Sequence, residues 1–103
     1  MTRQRYRNYW YGMVRDMIRR YPALKNEHTI QSNIFVGAIE NAIADTRNKQ
    51  DGNEIIKAIT LIYFDGTTTI DGAALKLNVS RRTVQSWIST FVELTAKYAG
   101  FKK

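Results

Sequence analysis

Along the first quarter of the chain, Tyr6, Trp10, Met13, Val14, Met17 and Tyr21 recur at steps of three and four residues. Arg5, Arg15, Arg19 and Arg20 fall on the opposite side of the same helical wheel. That spacing predicts an amphipathic helix. Pro22 ends it, because the residue before a proline is pushed out of the α region. Residues 25–31 are polar and read as a loop. Ser32 is placed to cap a second helix, which buries Phe35, Ala38, Ile39 and Ala42 and shows Glu40, Asn41 and Asp45 to water. Residues 48–53, with Asp51-Gly52 among them, are the best linker candidate.

A third helix is predicted from about Asn53. Ile55, Ala58, Ile59, Ile62 and Tyr63 form one stripe, and Ile56, Leu61 and Phe64 cover much of the rest. A helix apolar nearly all round belongs at the centre of a core. Asp65-Gly66 stops it. A short helix follows over about 70–77, then a turn at Asn78-Val79, then a last helix over about 80–99. Its stripe of Val84, Trp87, Ile88, Phe91, Val92, Thr95 and Tyr98 keeps the 3.6-residue period. Gly100 stands just past its end, where a positive φ is favoured. No β-rich segment or internal repeat interrupts this pattern. The expected fold is all-α, about five helices with a C-terminal helix-turn-helix, divided into a helical region 1–50 and a helix-turn-helix region 51–103.

Composition agrees with a folded helical chain: 44% of the residues are hydrophobic and only one is proline. No apolar run approaches the roughly 18 residues of a membrane span, so no membrane partner is expected. No apolar stretch with a small-residue cleavage site follows the basic N-terminus, and secretion is not expected. The absence of cysteine excludes disulfides, thiol nucleophiles and thiolate metal sites. A cytoplasmic location fits. The net charge is +7, unevenly spread: residues 1–25 carry +6, residues 26–66 carry −3 and residues 67–103 carry +4. Basic ends flanking an acidic middle point to a polyanionic partner.

The segment 70–89 carries the chemistry. A helix-turn-helix needs two short helices crossing through a turn of a few residues. Ala74 is small enough for the crossing, Asn78 tolerates the left-handed turn, and Ala73, Leu77, Val79, Val84 and Trp87 lock the pair. Ser80 can cap the second helix by accepting a bond from the Thr83 amide. With those residues inside, Ser80, Arg81, Arg82, Thr83, Gln85, Ser86 and Ser89 must face outward, and no acid lies among them. The first residues of a recognition helix face base edges in the major groove of double-stranded DNA. Gln85 and Ser86 are assigned to bases, and Arg81 and Arg82 to bases or phosphates. Lys76 and the amides of residues 67–69 are candidate backbone clamps. Arg5, Arg15, Arg19 and Arg20 are candidate contacts to phosphate or to a partner.

The stretch EIIKAITLIYFDGTTTIDGAALKLNVSRRTVQSWISTFVELTAKYAGF resembles the C-terminal part of the phage-encoded RinA-like and ArpU-like regulators of late transcription, itself similar to region four of bacterial sigma factors. The shared pieces are the Ile/Leu-rich helix ending in Tyr63-Phe64, a polar turn, the Ala-x-x-Leu helix, and Asn78-Val79-Ser80 leading into Arg-Thr-Val. The opening RYRNYWYGMVRDMIRRYP resembles the start of short members. The resemblance implies a phage or prophage transcriptional activator acting on promoter DNA inside a Gram-positive host cell, with RNA polymerase as a further partner. The long linker of larger members is lacking here.

Other chemistry finds no footing in the chain. His28 is the only histidine, so no metal site is expected. There is no phosphate-binding loop ending in Lys-Ser/Thr and no Gly-x-Ser-x-Gly elbow. Asp71 reads as a carboxylate that complements a helix dipole. No enzyme activity and no cofactor are expected. Two other functions fit the same pattern: a small-terminase-like subunit that recognises DNA for packaging, and a polymerase- or sigma-binding adaptor that does not bind DNA. A homodimer is expected for the regulator, because one helix-turn-helix makes few contacts, with the aromatic N-terminal helix as its interface.

Overall fold

The computed structural model describes residues 9–101, and the fold over them is all-α. Six α-helices follow one another: α1 (Tyr11–Arg19), α2 (Tyr21–Leu24), α3 (Ile30–Arg47), α4 (Gly52–Ile59), α5 (Ile70–Leu77) and α6 (Arg81–Ala99). A π-helical turn, Thr60–Phe64, prolongs α4. Tyr6 and Arg5 lie outside the described residues.

The buried line of α1 is Trp10, Val14 and Ile18. Met13, expected inside, is 41% exposed, and Ile18, absent from the expected stripe, is fully buried. A nine-residue helix meets the core along a single i, i+4 line, so Met13 is left at its edge. Pro22 stops α1 and also starts α2, where its missing amide hydrogen is harmless in the first turn. The polar loop is shorter than expected because α3 already begins at Ile30.

The cap of α3 is Thr29, three residues before the expected Ser32. Thr29 Oγ1 accepts from the Ser32 amide at 3.0 Å, and the Thr29 amide donates to Ser32 Oγ at 3.1 Å. This is a reciprocal capping box. Ser32 at the position where Glu or Gln usually closes such a box hides the motif in the sequence. The expected linker is a tight turn: Gly52 is buried, and a Cβ there would stand 2.4 Å from the Thr46 carbonyl oxygen. Only glycine fits that approach.

One core crosses the boundary at residue 50. Trp10, Val14, Ile18, Ile39 and Ala42 pack with Ile55, Ile59, Tyr63, Val84, Ile88, Phe91 and Val92. The two longest helices, α3 and α6, run past each other in opposite directions. Phe35 of α3 stacks on Phe101, just beyond α6, with ring centres 6.1 Å apart. The Tyr98 hydroxyl donates to the Asp45 carboxylate. A further hydroxyl, that of Tyr21, ties α2 to α3 by donating to Glu40 at 3.0 Å. Among the described residues no helix is long and apolar enough to cross a membrane.

Candidate nucleic-acid interface

Local chemistry builds the α5–turn–α6 unit. Thr69 caps α5, its Oγ1 accepting from the Gly72 amide at 3.0 Å. Ala73 and Ala74 are buried, and their small side chains let α5 lie close to the core. Asn78 then adopts φ 58° and ψ 45°, the sole non-glycine residue with positive φ among those described. Its amide donates to the Leu75 carbonyl at 3.3 Å and the Val79 amide to that of Ala74 at 3.0 Å. This pair of bonds closes a helix C-terminus in the Schellman manner.

Ser80 caps α6 by accepting from the Thr83 amide at 3.1 Å, and its hydroxyl lies 2.9 Å from that of Thr83. Ser80 and Thr83 thus hold each other and set the start of the helix. Val84 and Ile88 are buried, and Trp87 is half-buried. Arg81, Arg82, Gln85, Ser86 and Ser89 are exposed, as is Lys76 in the last turn of α5. Arg82, Gln85 and Ser86 bond no other side chain among the described residues. The amides of Arg81 and Arg82 are first-turn donors without an intrahelical acceptor. A positive partial charge therefore gathers at the end of α6 that is rich in arginine.

The remaining candidates fall in different places. Arg81 pairs with Asp71 across the turn at 3.5 Å, so Asp71 does more than complement the α5 dipole. Ser89 meets α1, its Oγ lying 3.2 Å from the Tyr11 hydroxyl. The proposed amide clamp at 67–69 fails in its first two members: the Thr67 and Thr68 amides donate to the Leu61 carbonyl at 3.1 and 3.2 Å. The π-helical turn leaves that carbonyl open, with Asp65 bonding back to Thr60 instead. On α1, Arg19 pairs with Asp16 at 3.3 Å, and Arg20 with Glu27 of the following loop at 3.8 Å. Arg15 pairs with no carboxylate among the described residues.

Two site features were missed from sequence. Tyr11 lies outside the periodic stripe and gave no signal. Tyr63 was placed in the core, and it is 6% exposed, yet it also lines the cleft between α1 and α6. Burial raises its phenol above the usual range.

No protein-family model matches the chain, and neither the curated proteins nor the solved structures yield a match.

Proposed function

We propose that this protein is a sequence-specific DNA-binding regulator of transcription that reads the major groove with α6. One observation carries this: a helix-turn-helix unit, closed by a left-handed Asn78 and a Ser80 cap, turns outward a helix face on which Arg81, Arg82, Gln85 and Ser86, with no acid among them, are exposed. Gln85 is the base reader, suited to the N6 and N7 edge of adenine. Ser86 lies beside it. Arg82 contacts guanine or phosphate, and the first-turn amides of α6 favour a phosphate. Lys76 supports the backbone from α5. The role as an activator of phage late genes, with RNA polymerase as partner, rests on the family resemblance alone.

Selecting duplexes from a random pool with the full chain, then titrating the best by fluorescence anisotropy, tests the proposal. Gln85→Ala is expected to relax preference at one base pair, by about 1–3 kcal/mol. Arg82→Ala is expected to weaken binding. If neither change affects binding to any duplex, even at low salt, α6 is not the reading helix. Mass in solution separates the regulator, a monomer or dimer, from a packaging subunit, a ring of many copies. Trp10, Val14 and Ile18 are buried in the chain's own core, so a dimer through α1 must use its other side chains, such as the exposed Met13.

A further inference from the structure

Between α1 and α6 lies an open cleft of about 360 Å³, lined by Tyr11, Arg15, Tyr63, Ile70, Gln85 and Ser89 among others. No carboxylate borders it. Arg15 stands apart from Arg19 and Arg20 because it lines this cleft. Arg19 pairs with Asp16 and lies 5.3 Å from the Tyr63 ring centre, and Arg20 pairs with Glu27. The Arg15 guanidinium carbon lies 5.9 Å from the centre of the Tyr11 ring, and it pairs with no carboxylate among the described residues. Gln85, the base reader, lines the same cleft as this guanidinium.

The dimensions of DNA decide what such a pairing means. A helix with its side chains is about 10–12 Å across, and the major groove of B-form DNA is about 12 Å wide. A helix seated there fills the groove from wall to wall. An element packed alongside it cannot enter and comes to rest over the phosphate ridge. On the side where Gln85 and Ser89 border the cleft, the element beside α6 is α1, joined to it at Ser89, one turn beyond Gln85, through the Tyr11 hydroxyl.

We propose that α1 is a phosphate clamp: with α6 in the major groove, Arg15 binds the sugar–phosphate backbone of the strand bordering the groove on the α1 side. This rests on α6 being the recognition helix and adds a contact from the opposite end of the chain. The Tyr63 ring forms one wall of the cleft, and a guanidinium–phosphate bond is charge-assisted and stronger than a bond between neutral groups. Tyr11 and Ser89 offer hydroxyls at its rim. The contact carries no base information, so it adds affinity equally on all sequences.

The test is a salt titration of the full chain on its selected duplex and on a scrambled one, for the wild type, Arg15→Gln, Arg19→Gln and Arg82→Ala. Arg15→Gln is expected to weaken binding about tenfold on both duplexes and to lower the slope of log K against log salt by about 0.9. Arg19→Gln should change affinity less than about twofold, since Arg19 does not line the cleft. A single methylphosphonate, walked along the strand flanking the site, should find one position that weakens the wild type but not Arg15→Gln. Should Arg15→Gln lose its helical circular dichroism, Arg15→Lys takes its place: the retained charge keeps the slope, and loss of the bidentate fork lowers affinity. Unchanged affinity and slope in Arg15→Gln, alongside weakened binding in Arg82→Ala, overturns the clamp and leaves α6 as the reader. Absence of binding by the wild type to any duplex at low salt overturns both.

Discussion

Asn78 holds the two helices of the candidate reading unit in their crossing. The left-handed region costs an ordinary L-residue roughly 1–2 kcal/mol, while Asn and Gly visit it readily. Asn78→Ala is therefore expected to lower unfolding stability by about 1 kcal/mol, with Asn78→Gly close to the wild type, as read by urea denaturation. A loss of similar size in both variants would mean that the side chain, not the backbone angle, matters. Asn78, Ser80 and Gly100 were legible in the sequence because each obeys a local rule of turns and caps. The Arg81–Asp71 pair was not. Both residues are more than half exposed, and the pair adds little stability. It does orient one of the two arginines that open α6, leaving Arg82 as the one without an acid.

The helices obey the hydrophobic period well in their interiors and poorly at their ends. The start of α3 was misplaced because Ser32 fills a role usually taken by a longer side chain. The π-helical turn was invisible for a different reason: an extra residue per turn changes hydrogen bonding without changing composition. That turn took the Thr67 and Thr68 amides out of the candidate clamp. Tyr21 shows how short elements are tied down. Burial and its bond to Glu40 push its phenol up to about 12. The folded state thus holds the proton more tightly than the unfolded chain, whose tyrosine ionises near 10. The stabilisation from Tyr21 is complete below about pH 10 and lost as pH rises toward 12. Tyr21→Phe is expected to lose less stability than the wild type between pH 9 and pH 11, compared by urea midpoints. An equal fall would show that the Tyr21 phenol does not drive the alkaline loss.

At the scale of the whole molecule, the helix-turn-helix does not stand alone. Val84, Ile88 and Phe91 of α6 complete a core with Trp10, Val14 and Ile18 of the N-terminal region. A fragment of residues 51–103 leaves those side chains without partners. It is expected to lack a cooperative thermal transition by circular dichroism, where the full chain shows one. A sharp transition in the fragment would make the first half an accessory rather than part of the core. The same packing rearranges the charge. It sets Arg15 of α1, from the basic first quarter of the chain, beside the same cleft as Gln85 of α6.

Periodicity and the local rules of caps and turns determined from sequence that the chain is helical, where the α5–turn–α6 unit lies, and which side of α6 must face outward. Those depend on neighbours a few residues apart, which a sequence displays directly. Which arginine of α1 is free, which amides are already bonded and what stands beside Gln85 depended on the tertiary structure. The pairing of Arg19 with Asp16 and of the Thr67 and Thr68 amides with Leu61 is close in the chain but set by backbone geometry. What stands beside Gln85, by contrast, turns on residues as far as 78 positions apart, as Tyr11 and Ser89 are. No periodic signal reaches so far, because only packing of the whole core sets those distances.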